Sequence, residues 1–314
     1  MTTAFIFPGQ GSQAVGMGKS LAEAFPVARA VFDEVDAALS QKLSVLMWEG
    51  PAEELTLTAN AQPALMAVSL AVVRVLESEA GLDLKRDAAF VAGHSLGEYS
   101  ALAAAGTFSV TDAARLLRIR GDAMQKAVPA GQGAMAALLG AELDLAREIA
   151  TAAAQGEVCE AANDNGGGQV VLSGAKAAIE RAIALAGERG VKRAMLLPVS
   201  APFHCALMQP AAEAMREALA RVSMNAPVVP VVANVGAAPL SDPDAIRDSL
   251  VAQVTGTVRW RECVQAMAAA GVTDFVEAGS GKVLAGLVKR IVAGAAPISI
   301  GTADDIAAYK ARNG

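Results

Sequence analysis

The feature that most constrains the fold is Gly93-His94-Ser95-Leu96-Gly97, set directly after the apolar run Ala88 to Ala92 and before a helix-forming stretch. A buried strand, a sharp turn and a helix in that order require glycine on both flanks, because a Cβ has no room where strand and helix meet. Such a turn lifts the serine hydroxyl off the end of a sheet. It also aims the next N–H, that of Leu96, from a helix N-terminus toward an oxygen that becomes negative. The expected scaffold is therefore α/β: an α/β-hydrolase-like large domain built on a mainly parallel sheet.

The rest of the chain agrees with strands separated by helices. Ala4 to Phe7 reads as a short buried strand ending at Pro8-Gly9, and helical patterns cover Val27 to Leu39, Pro63 to Ala80 and Arg115 to Lys126. The proline of Pro63 is expected in the first turn of its helix, with Gly81 just past the end. From Ala134 to Val199 the order is β-α-β-β-α-β, with two strands flanking Asn163-Asp164-Asn165-Gly166-Gly167-Gly168, which is a ferredoxin-like arrangement. The chain thus divides into residues 1–129 as the first part of the large domain, 130–197 as a ferredoxin-like insert, and 198–314 as the second part of the large domain. In this last part Val228 to Val232 and Asp274 to Glu277 read as strands, and Gly281 to Val292 as the final helix.

Composition excludes several classes. Apolar residues make up 54% of 314, which supplies a large core. Two uncharged stretches, Ala194 to Ala212 and Val222 to Ser241, reach spanning length, but their prolines break the helix that a bilayer demands. No secretory n-region precedes Lys19. Cys159, Cys205 and Cys263 have neither disulfide nor zinc spacing. The expectation is a cytoplasmic protein with no metal site, no membrane association and, at a formal charge of −6, no nucleic-acid partner.

A serine nucleophile needs a base. The sequence holds two histidines, and His94 sits inside the elbow, facing away from the direction Ser95 takes. His204, in the loop Pro202-Phe203-His204-Cys205, is the one imidazole left. A third member of a triad would be acidic and lie between them. Asp112, Asp122, Asp144 and Asp164 are available, but none follows an obvious strand of the large domain, so a backbone carbonyl is the alternative. Pro8-Gly9-Gln10-Gly11-Ser12 loosely fits a dinucleotide fingerprint, yet Asp33 and Glu34 lie in a helix rather than ending a strand. A tight loop presenting N–H groups to the elbow fits better. Gly279-Ser280-Gly281-Lys282 lacks the first glycine and the Ser or Thr of a phosphate loop. At this level a serine esterase or thioesterase of α/β-hydrolase type and an acyltransferase both remain open.

Taken together, Phe7-Pro8-Gly9-Gln10-Gly11-Ser12-Gln13, Gly93-His94-Ser95-Leu96-Gly97-Glu98-Tyr99, Arg120-Gly121, Phe203-His204 and Gly281-Lys282-Val283-Leu284 resemble, in order and over the whole chain, the malonyl-CoA:acyl carrier protein transacylases of fatty acid and polyketide synthesis. The resemblance implies a malonyl group carried on Ser95, with His204 as base and backbone N–H groups of Gln10 and Leu96 around the oxyanion. It implies a backbone carbonyl of Gln253 orienting His204, Arg120 holding the malonyl carboxylate, and Phe203 crowding out an α-methyl group. Malonyl-CoA is then a substrate, no cofactor is called for, and the partner is an acyl carrier protein. Lys192-Arg193 and Lys289-Arg290 are candidates for docking that acidic partner. The chain departs from the family at Asn165-Gly166-Gly167, where Asn-Ser-Pro is frequent, so no contact is assigned to Asn163 or Asn165.

Overall fold

The computed structural model describes residues 2–313. A six-stranded sheet carries the large unit. Its strands are β1 (Thr3–Phe7), β2 (Phe90–Gly93), β7 (Val231–Val232), β8 (Pro239–Leu240), β9 (Asp274–Ala278) and β10 (Ile298–Ile300), in the order β10-β9-β1-β2-β7-β8. All neighbours run parallel except β7 and β8. The central strand shows why its sequence is unbroken apolar. Phe5 and Phe7 enter the core beneath the helix Thr58–Ala80, while Ala4 and Ile6 enter a second core around Trp260, Val264 and Leu287. Both faces are covered, so no polar alternation is possible.

The second sheet lies between β2 and β7 in the chain. It comprises β3 (Gly133–Leu139), β4 (Cys159–Asp164), β5 (Gln169–Ala175) and β6 (Arg193–Leu196), all antiparallel, in the order β4-β5-β3-β6. With the helices Leu143–Ala154 and Lys176–Glu188 on one face, this is the ferredoxin-like order, and it has its own core around Leu138, Ile149, Leu172 and Ile179.

Three expectations about elements need correction. The helix holding Pro63 begins at Thr58, so proline stands at its sixth residue and removes a donor inside the helix. The segment Gly281 to Val292 is helical only over Val283–Ile291 and is not the last element, since β10 and a helix Ala303–Asn313 follow. β10 is a three-residue edge strand, too short for its period to show. The expected strand Val228 to Val232 shrinks to Val231–Val232 because Pro230 lies just before it. Among the described residues one helix, Thr58–Ala80, is long and apolar enough to cross a bilayer, and 89% of its apolar window is buried inside the fold.

Candidate active site

The elbow is held by close backbone contact. A Cβ on Gly93 would fall 1.9 Å from the Gly97 carbonyl, and one on Gly97 would fall 2.2 Å from the Phe7 carbonyl oxygen. Ser95 takes a left-handed conformation, φ 54°. Such a backbone costs about 1 kcal/mol or more in a residue other than glycine and persists only where neighbours impose it. The neighbour here is Asn234, fully buried two residues past β7. Its Oδ1 accepts the Ser95 N–H at 2.8 Å, its Nδ2 donates to the Gly93 carbonyl at 2.7 Å, and its own N–H donates to Glu98 Oε2 at 3.0 Å.

Ser95 Oγ lies 2.7 Å from His204 Nε2, and His204 Nδ1 lies 2.8 Å from the Gln253 carbonyl oxygen. A carbonyl can only accept, so Nδ1 carries the proton and Nε2 is free to accept from the serine hydroxyl. His204 also has positive φ, 58°, and is 4% exposed. Burial first, and the Arg120 charge second, hold its pKa down to about 3, so the imidazole is neutral at physiological pH. No aspartate takes the third place: Asp164, one of the four acids available by chain order, pairs with Arg261 at 2.8 Å.

Arg120, on the helix Val110–Lys126, is 1% exposed, in contrast to the solvated face that a helix rich in cations suggests. It donates to Gln62 Oε1 at 2.8 Å, to Gln253 Oε1 at 2.9 Å and to Ser95 Oγ at 3.2 Å. Burial lowers its pKa from the ordinary guanidinium value. Among the described residues no carboxylate comes within 4.0 Å of it. Gln62 in turn donates to Thr58 Oγ1 at 3.0 Å, and Thr58 to Gln10 Oε1 at 2.9 Å, so a chain of neutral polar groups ties the arginine to the N-terminal loop.

These groups face a cavity of about 430 Å³ whose wall includes Gln10, Ser95, Leu96, Arg120, Phe203 and His204. The backbone N–H groups of Gln10 and Leu96 donate to no protein acceptor among the described residues. The small sheet supplies the opposite wall through Met135 and Asn163. Asn165 Oδ1 sits 2.9 Å from His94 Nε2, which ties the hairpin turn to the elbow. Lys192, Arg193, Lys289 and Arg290 are all exposed, with Arg290 donating to Gln169 at 3.2 Å. No group of three or more His, Cys, Asp or Glu placed to hold a metal ion occurs among the described residues.

Sequence reasoning missed Asn234, Glu98, Gln62, Thr58 and the Asn165 contact. Asn234 left one usable sign, a lone amide just beyond the C-terminal end of an apolar strand, where open parallel sheets bind ligands. Glu98 stood inside the quoted motif but as a charge next to a helix start, which ordinarily faces water.

A serine on a strand-to-helix elbow, a neutral imidazole held by a carbonyl and a buried unpaired guanidinium in one cavity define an α/β protein of the acyl-transferring class. Residues 4–302 match the family model described as acyl transferase domain, and the chain belongs to that family. It is 49% identical to the malonyl CoA-acyl carrier protein transacylase of Escherichia coli (strain K12) over 289 residues, 92% of each chain. The protein of that name from Bacillus subtilis (strain 168) is 48% identical, over 92% of this chain and 90% of its own. Among solved structures, an acyl-carrier-protein-S-malonyltransferase from Bartonella henselae superposes with a TM-score of 0.97 at 58% identity, covering 100% of this chain and 99% of that one. A malonyl-transacylase solved in complex with a type II polyketide synthase acyl-carrier protein superposes at 0.95 with 41% identity, covering 100% of both chains.

Proposed function

We propose that this chain transfers a malonyl group from coenzyme A to the phosphopantetheine thiol of an acyl carrier protein through a malonyl-Ser95 intermediate, supplying fatty acid or polyketide elongation. The observation that carries the reading is Arg120: a fully buried cation with no carboxylate partner among the described residues, 3.2 Å from the Ser95 hydroxyl. A guanidinium there can take a carboxylate by two parallel hydrogen bonds, which selects a thioester ending in a charge over acetyl-CoA.

The reaction runs as two half-reactions. His204 Nε2 takes the Ser95 proton as Oγ attacks the thioester carbonyl, and the oxyanion forms toward the Gln10 and Leu96 N–H groups. The C–S bond breaks and the departing thiolate takes the proton from His204. In the second half the carrier's thiol gives its proton to His204, its sulfur attacks the acyl-serine, and Ser95 leaves with that proton. Protons and electrons balance among these residues and the two thiols, so no cofactor is invoked. The ring of Phe203, 8% exposed at the cavity wall, supports a preference for malonyl over acyl groups with an α-methyl branch. The exposed pairs Lys192-Arg193 and Lys289-Arg290 suit an acidic carrier. Three free, buried cysteines accord with a reducing, cytoplasmic setting.

The test is intact mass after mixing with malonyl-CoA or acetyl-CoA. A malonyl adduct is expected, absent in Ser95→Ala and specifically lost in Arg120→Ala, with little acetyl adduct. Free malonate accumulating with no adduct would instead favour a thioesterase.

A further inference from the structure

Beneath the nucleophile lies a carboxylate that no step above uses. Glu98 is the second residue of the elbow helix Gly97–Ala104 and is 1% exposed. Its Oε2 accepts from the Asn234 N–H at 3.0 Å and from Gln253 Nε2 at 2.9 Å, and no cation comes within 4.0 Å of it among the described residues. The same Gln253 side chain accepts from Arg120 through Oε1 at 2.9 Å. One amide therefore stands between two buried opposite charges, its positive end on the carboxylate and its negative end on the guanidinium. Among the described residues neither charge has another ionic partner, and an uncompensated buried charge is prohibitive.

A malonyl carboxylate entering beside Arg120 changes that balance. Arg120 and Glu98 alone sum to zero; with a second carboxylate the buried site carries one excess negative charge. Burial already pushes Glu98 up to about 7, against the hydrogen bonds from Asn234 and Gln253 and then the pull of Arg120, and another anion nearby pushes it further. Resting on the reading that Arg120 grips the malonyl group, we propose that Glu98 is the resident counter-charge of Arg120, relayed through the Gln253 amide, and takes a proton from solvent when a carboxylate-bearing acyl group is loaded. The site then returns to neutrality as guanidinium, acyl carboxylate and carboxylic acid.

Glu98 acts through Gln253 and is a positioning residue. The other groups around it do not titrate in the range concerned. Tyr99 on its own helix and Cys263 on the helix Trp260–Ala269 are both raised by burial, and His204 across Gln253 is held low. Above its own pKa, wild-type Glu98 must be protonated before malonyl binds well, which costs up to about tenfold in affinity per pH unit.

The experiment uses the whole enzyme between pH 6 and 9 with malonyl-CoA, and free coenzyme A in the amount released as control for its own titration. Proton uptake in weakly buffered indicator dye and KM are recorded for wild type and Glu98→Gln. Wild type is expected to take up more than about half a proton per malonyl group at pH 8 beyond the coenzyme A control, with a malonyl-CoA KM that climbs above pH 7. Glu98→Gln should abolish the excess proton, flatten the profile and lower the malonyl-CoA KM at pH 8 by about tenfold. A wild-type malonyl adduct formed with no excess proton overturns the proposal, and that count stands even if the variant fails to fold. A variant with weaker malonyl binding at every pH and the wild-type slope would make Glu98 merely structural. Absence of any wild-type malonyl adduct would sink the underlying functional reading instead.

Discussion

At the scale of single residues, the elbow depends on an amide that is wholly buried and does not line the cavity. Replacing Asn234 by alanine leaves the Ser95 N–H and the Gly93 carbonyl without their partners. Each buried group left unpaired costs about 1–3 kcal/mol, so Asn234→Ala should lose roughly 2–6 kcal/mol in urea denaturation. It should also slow acylation of Ser95 about 100-fold, because misplacing the nucleophile by a fraction of an ångström forfeits orientation. His204 supports a separate expectation. Its folded pKa, about 3, lies below the ordinary 6.5, so a proton taken up by the unfolded chain between those values is refused by the native one. Stability should therefore fall as pH drops through that window, while acylation at saturating thioester stays level through pH 6.5 to about 5. A titration of the single-turnover rate centred near 6.5 would contradict this.

At the scale of elements, the cavity depends on how closely two helices approach. A Cβ on Gly121 would meet Ala59 Cα at 2.6 Å and the Thr58 carbonyl oxygen at 2.8 Å, both backbone atoms that cannot swing aside. Gly121→Ala should force the helices Thr58–Ala80 and Val110–Lys126 apart at about 1–3 kcal/mol. Since Arg120 and Gln62 lie on those two helices and bond each other, the expected kinetic signature is a malonyl-CoA KM raised about tenfold. The same contact explains the misread helix start. Proline reads as a first-turn residue because its missing N–H does no harm there, whereas packing against Gly121 extends the helix back to Thr58. Long periodic helices and the five-residue β1 were legible in the sequence. The two-residue β8 and three-residue β10 were not, since strands so short exist only by pairing with β7 and β9.

At the scale of the whole molecule, the small sheet is joined to the large unit where it faces the cavity. Val258 N–H donates to the Ala162 carbonyl, Asp164 N–H donates to the Val258 carbonyl, and Arg261 pairs with the 2%-exposed Asp164. Arg261→Ala would strand that carboxylate at the base of the turn carrying Asn165. A loss of about 2 kcal/mol in urea denaturation is expected, moderated because Arg261 is itself partly exposed. Slower acylation should accompany it as Asn163 and Asn165 leave the cavity and His94. Unchanged stability and rate would mean that the Arg261–Asp164 pair is not needed to hold the two units together.

The sequence by itself determined whatever depends on neighbours in the chain or on scarcity. The alternation of strands and helices, the insert's β-α-β-β-α-β order, the elbow with its two glycines, and His204 as the one imidazole beyond it are all of this kind. Tertiary structure alone decided which polar groups meet beneath the nucleophile. Asn234 reaches Ser95 across 139 positions and Gln62 reaches Arg120 across 58. Hydrogen-bond partners at such separations are set by where strand ends and helix starts converge. No local period or motif encodes that convergence, which is why Asn234, Glu98, Gln62 and Thr58 carried little mark of their place in the chain.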